Sequence, residues 1–134
     1  PLNQVLWTAV AETDTAYLTG FYSHFDKDKK VNFTSLPKNH CLLDDHIHDT
    51  GVQKILRFTK GLYTVEPDSA GFVVNDLRFG KVTNWKTGEG DFVFQYHIDI
   101  TTEPITITQA EQSFEGGSEV LLQLWQRMLG KKDF

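Results

Sequence analysis

The most constraining feature of this chain is a two-residue period near its C-terminal third. Phe92, Phe94, Tyr96, Ile98 and Ile100 alternate with Gln95, His97 and Asp99. Successive side chains of a strand point to opposite faces, so this segment predicts an antiparallel strand with one buried and one wet face. Such a strand needs hydrogen-bonding neighbours on both sides or a protected edge, which commits a good part of the chain to a sheet.

The remaining sequence supplies those neighbours as hairpins. Val5 to Glu12 and Ala16 to Phe25 are rich in β-branched and aromatic residues and are separated by Thr13-Asp14-Thr15, a hairpin connection. The polar turn Asp26 to Lys30 leads to a short strand, Val31 to Leu36, which Pro37 ends. Leu62 to Glu66 and Phe72 to Phe79 form a second hairpin around the five-residue turn Pro67-Asp68-Ser69-Ala70-Gly71. Two glycines, Gly88 and Gly90, and several polar residues between Asn84 and Asp91 predict a loop.

Between the hairpins the period changes. Val52, Ile55, Leu56 and Thr59 follow helical spacing, with Asp49 or Thr50 as N-cap and Gly61 as terminator. The predicted helix has about ten residues, with Lys54, Arg57 and Lys60 toward its C-terminal end, where the dipole favours positive charge. A further helical turn over Leu42 to His48 precedes it, broken by Gly51. Thr108 with Glu111 has the spacing of a capping box. Beyond Gly116-Gly117, Leu121, Leu124, Trp125 and Met128 mark the buried stripe of a last helix that Ser118 caps and Gly130 ends. The expected fold is α+β: a mostly antiparallel sheet of about six strands built from hairpins, with a central helical insertion and a C-terminal helix.

At 134 residues the chain reads as one domain, 1–134, with neither repeat nor internal linker. Its 40% hydrophobic and 23% charged residues are ordinary globular usage, and 10 Phe, 4 Tyr and 3 Trp provide ample core material. The formal charge of −5, with no Lys or Arg concentration beyond the interrupted run Lys27 to Lys30, argues against nucleic acid as a partner. No run approaches the roughly 18 apolar residues of a membrane span, and the first residues are not a signal peptide. Cys41 is the single cysteine, which excludes an internal disulfide and a multi-cysteine zinc site.

Two places carry chemistry-bearing residues. His40, Cys41, Asp44, Asp45, His46, His48 and Asp49 crowd into ten positions. On a helix His46 and His48 lie about 200° apart, whereas Asp44 with His48, or Asp45 with His48 and Asp49, share a face. Asp45, His48 and Asp49 are therefore the weak metal candidates. The competing reading, which the spacing favours because it matches no established zinc pattern, is a solvated acidic helix start. Cys41 next to His40 does not make a nucleophile pair, since adjacent residues do not face each other and no oxyanion stabiliser is nearby. The second place is Asn75-Asp76-Leu77-Arg78-Phe79-Gly80. On a strand Asp76 and Arg78 share the face of Phe72 and Val74. Arg78 either forks a ligand carboxylate or phosphate, or ties Asp76 or a loop carbonyl and fixes the sheet. The pairing with Asp76 is the preferred reading, because charges usually enter a core in pairs. His24 and His97 carry no further signal, and there is no phosphate loop, nucleophile elbow or paired-histidine zinc motif.

The order Asn3 to Trp7, Gly20-Phe21-Tyr22-Ser23, Leu56-Arg57-Phe58-Thr59-Lys60-Gly61-Leu62-Tyr63 and Asp76-Leu77-Arg78-Phe79-Gly80 resembles the C-terminal soluble region of the predicted bacterial inner-membrane metal-dependent hydrolases. The resemblance spans about residues 1 to 100. It implies a multi-helix membrane portion preceding this region, bearing the histidines and acids and any divalent metal, and hence a bacterial inner-membrane location for the whole protein. The part read here then resembles an excised domain with no cofactor and no catalytic set of its own, whose partner is its own N-terminal membrane portion. What maps onto this sequence is structural: Trp7, Gly61, Tyr63, Asp76, Arg78 and Gly80. Three functions follow as expectations. The first is a non-catalytic domain that positions or regulates the membrane part; the second is a module binding a small anionic ligand or a partner at Arg78 and nearby aromatics. The third is a self-contained metalloenzyme using residues 40–49.

Overall fold

The computed structural model describes residues 5–83, 90–110 and 117–131. Among these residues seven strands and two α-helices follow in the order β1 (Leu6–Glu12), β2 (Ala16–Ser23), β3 (Phe33–Pro37), a 3-10 helix (His40–His46), α1 (Thr50–Phe58), β4 (Tyr63–Asp68), β5 (Gly71–Thr83), β6 (Gly90–Asp99), β7 (Thr106–Gln109) and α2 (Gly117–Met128). The expected α+β class holds, with the strands divided between two antiparallel sheets, β1-β2-β3 and β4-β5-β6-β7. The loop expected at Asn84 to Asp91 falls largely on residues 84–89, outside those described. Among the described residues no helix is long and apolar enough to cross a membrane. The chain forms two compact units, one from residues 1–36, 82–91 and 113–134, the other from 37–81 and 92–112.

In the first unit β1 and β2 pair from Leu6 opposite Ser23 to Glu12 opposite Tyr17. Their turn is closed by Thr13, whose hydroxyl donates to the Ala16 carbonyl at 2.9 Å and accepts from the Ala16 amide at 3.0 Å. Gly20 is required by close approach: a Cβ there would lie 2.5 Å from Val31 Cγ1 and 2.9 Å from the Asn32 carbonyl oxygen, the segment leading into β3. Tyr17 is fully buried.

The orientation of α2 departs from the expected stripe. Leu121 and Trp125 are exposed together with Leu122 and Leu129, Leu124 is half-buried, and the buried residues are Gln123, Arg127 and Met128. The reason is polar. Arg127 forks onto Asp26, with Nη1 donating at 2.6 Å to one carboxylate oxygen and Nη2 at 3.1 Å to the other. It also donates to the Phe21 carbonyl at 3.3 Å. The Ser23 hydroxyl donates to the Met128 carbonyl, and the Ser23 amide donates to Asp26 at 3.0 Å. Gly130, at φ 82°, ends the helix against the backbone of Phe25, whose carbonyl oxygen would sit 2.1 Å from a Cβ. Satisfying these buried donors and acceptors outweighs leaving four apolar side chains in water. The helix begins at Gly117, which puts Ser118 inside the first turn.

In the second unit α1 matches its sequence pattern. Val52, Ile55 and Thr59 are buried, and Asp49 caps the helix, accepting from the amides of Gly51 and Val52 at 2.8 and 3.1 Å. Val52 and Ile55 pack with Leu43, Tyr63, Val65, Val74 and Ile98 into one core, which Leu42, Leu56, Phe72, Tyr96, Ile105 and Ile107 extend. Two local expectations are corrected. Pro67 is a strand residue opposite Phe72, and the turn shrinks to Ser69-Ala70 because Asp68 pairs with Gly71. Proline is tolerated since β4 is an edge strand. Thr108 lies in β7 opposite His97, while Glu111 falls outside the described residues.

The segment before the 3-10 helix runs along that edge. The Val65 amide donates to the Lys38 carbonyl at 3.0 Å, and Asn39 Nδ2 donates to the Val65 carbonyl at 3.2 Å. His40 Nε2 donates to the Tyr63 carbonyl at 2.8 Å while its ring stacks on Tyr63 at 3.9 Å between centroids. Asn39 reaches this position in a left-handed conformation, φ 50°, which asparagine tolerates better than most residues.

Candidate functional site

Asp76 and Arg78 are brought together as the shared strand face required. Tyr63 opposite Asp76 and Val65 opposite Val74 place Asp76 on the core face of β5, where it is fully buried. Its carboxylate accepts from the Arg78 amide at 2.9 Å, from Arg78 Nε at 3.1 and 3.2 Å, and from Arg78 Nη2 at 2.7 Å. Arg78 is a quarter exposed at its side chain, and its guanidinium lies 5.0 Å from the centroid of the Phe79 ring. Phe79 in turn meets Phe94 edge-on at 4.8 Å. The hydrogen bond to Asp76 pushes the Arg78 pKa further up. Burial, and next the negative charge of Asp76, push the Tyr96 phenol up, with Arg78 opposing. Asp76 thus holds the guanidinium by a two-toothed grip, and the pair is close to electrically neutral.

The opposite face of the same strands carries a polar network that the sequence pattern did not single out. Asn75, fully buried, donates to Thr64 Oγ1 and Glu66 Oε1, each at 3.2 Å, and accepts from Gln95 Nε2 at 2.9 Å. Farther along that face His97 Nδ1 donates to Asp68 at 3.2 Å. That hydrogen bond, helped by one from the Ser69 amide, holds the Asp68 carboxyl below its ordinary value. The available signal was Gln95 alone, on the wet face of its strand; Thr64 and Asn75 stand beside apolar residues in their own segments, and strand order, which puts the three side by side, is not written in any one segment.

The 40–49 segment is dispersed by the fold. Residues 40–46 form a 3-10 helix, so the α-helical wheel does not apply to them. His40 serves the β4 edge, the His46 ring lies 5.9 Å from that of Phe72, and Asp49 is consumed by capping. Cys41, Asp44, Asp45 and His48 are exposed. Among the described residues no three His, Cys, Asp or Glu side chains are grouped to hold a metal.

No family model, no curated protein and no solved structure matches this chain.

Proposed function

We propose that this chain is a non-catalytic domain that positions or regulates a membrane-embedded, metal-dependent hydrolase portion of the same protein, docking on it through the outer side of α2. The observation that carries this reading is the inverted helix. Its polar residues Gln123 and Arg127 are buried while Leu121, Leu122, Trp125 and Leu129 form one exposed stripe. Contiguous apolar surface of this kind marks contact sites. The resemblance of residues 1 to 100 to the soluble region of the inner-membrane hydrolases supplies the occupant. An anionic ligand at Arg78, the other function considered, would have to compete with Asp76 for the same fork, and the geometry therefore favours docking.

The test expresses this chain and the membrane portion encoded upstream of it as separate polypeptides. Wild type is expected to co-purify with that portion, and Leu121→Asp/Trp125→Asp is expected to lose it while folding normally. Metal-dependent turnover of phosphate ester, carboxyl ester or peptide substrates by the isolated domain, or undiminished co-purification of the double variant, overturns the proposal.

A further inference from the structure

A second surface, independent of α2, lies at the C-terminal end of α1. The sixteen positions from Thr50 to Val65 contain Lys54, Arg57 and Lys60 and no acidic residue, in a chain whose net charge is −5. Lys54, Arg57 and Phe58 line an open depression of about 500 Å³, and Arg57 also borders a second of about 390 Å³ with Ile47, Gln53 and Leu56. Phe58 is 62% exposed, more than Phe79 or Ile100 in the same unit. The helix carries its buried face on Val52 and Ile55, so Phe58 contributes nothing to that core.

From this we infer that the end of α1 is a contact surface for anionic lipid headgroups, with Lys54, Arg57 and Lys60 meeting the phosphates and Phe58 entering the headgroup boundary. A small soluble anion needs enclosure, and this depression is open, with two cationic side chains among the described residues of its wall. A nucleic acid strand needs a basic track several phosphates long with aromatics in series, and here one aromatic stands among three bases. An anionic bilayer satisfies both parts at once: it presents negative charge densely and lies over hydrocarbon into which an aromatic ring gains by burial.

The test is co-sedimentation of the chain with vesicles of phosphatidylcholine, alone or with about 30 mol% phosphatidylserine. Wild type is expected to partition at least about tenfold more strongly onto the anionic vesicles and to be released by about 0.5 M salt. Lys54→Ala/Arg57→Ala should weaken that partitioning roughly 25-fold, at about fivefold per charge, and Phe58→Ser by about tenfold. All three positions are exposed, so thermal melting should match wild type. Equal partitioning onto neutral vesicles, no change in the double variant, or capture by an oligonucleotide or polyglutamate as strong as by vesicles overturns the inference. Leu121→Asp/Trp125→Asp should leave vesicle partitioning unchanged, which keeps a failure here distinct from a failure of the α2 docking site.

Discussion

Arg127, in the last turn of α2, places both terminal guanidinium nitrogens on the carboxylate of Asp26, at 2.6 and 3.1 Å. The Asp26 side chain is fully buried and that of Arg127 nine-tenths buried, so neither charge can be met by water if the other is removed. Arg127→Ala or Asp26→Ala is expected to destabilise the fold by about 3–5 kcal/mol. Replacing both with leucine should cost less than either single change. Urea denaturation of the three variants decides it; a single-variant loss under about 1 kcal/mol would show that the pair does not hold α2 in place.

At Asp76 and Arg78 the expected order of stability is wild type, Arg78→Lys, Arg78→Ala. Lysine keeps the charge but cannot span both carboxylate oxygens in a plane, and alanine leaves the buried Asp76 carboxylate, among the described residues, with the residue-78 amide as its hydrogen-bond partner. Chemical denaturation midpoints check the order, with the exposed Lys54→Ala as control. A midpoint for Arg78→Ala no lower than that of the control would return Arg78 to candidacy as a ligand-binding residue.

Within residues 45–49 the three candidates should separate by role. Asp49→Ala is expected to cost about 1 kcal/mol through loss of the α1 cap, whereas Asp45→Ala and His48→Ala, on exposed side chains, should change stability by less than about 0.5 kcal/mol. Elemental analysis of the purified chain is expected to find no stoichiometric zinc. One zinc per chain that disappears in Asp45→Ala/His48→Ala would refute the dispersed reading of this segment.

Asp68 gives a pH signature. Its folded pKa lies below the ordinary 3.8, chiefly through the hydrogen bond from His97. A depressed carboxyl pKa means that the unfolded chain binds the proton first as pH falls. Its contribution is therefore fully present above the unfolded value and is lost as pH drops through the folded one. The stability difference between wild type and Asp68→Asn should hold steady from about pH 6 to about pH 5 and shrink below about pH 4. A difference that grows on acidification would reverse the assignment.

How much of this was legible varies with the kind of force involved. The helix α1 could be read because its apolar spacing, its Asp49 cap and Gly61 all agree, and local agreement is what a single segment can express. The strand β6 was equally plain, and Asp76 with Arg78 could be paired because both lie on one strand face two residues apart. The buried side of α2 was misread for a physical reason: periodicity equates apolar with buried, while Arg127 is drawn inward by an aspartate 101 residues away. The four-residue strand β7 was lost because Thr108 and Glu111 imitate a helix start. Asn75 was missed as a hub because its partners come from β4 and β6, and only the assembled sheet sets them beside it.

The outer edge of β4 has one more consequence. Along it Val65 has both backbone groups engaged by residues 38 and 39, the Tyr63 carbonyl is taken by His40, and Pro67 has no proton to offer. A free strand edge is a template on which a second chain can add and from which fibrils and aggregates grow. This edge is closed to that chemistry, so growth of the four-stranded sheet is directed to its other side, where β7 is only four residues long. Removing the seal at one point, as in His40→Ala or Pro67→Thr, would restore a hydrogen-bonding group to the margin and raise the protein's tendency to self-associate on concentration or heating.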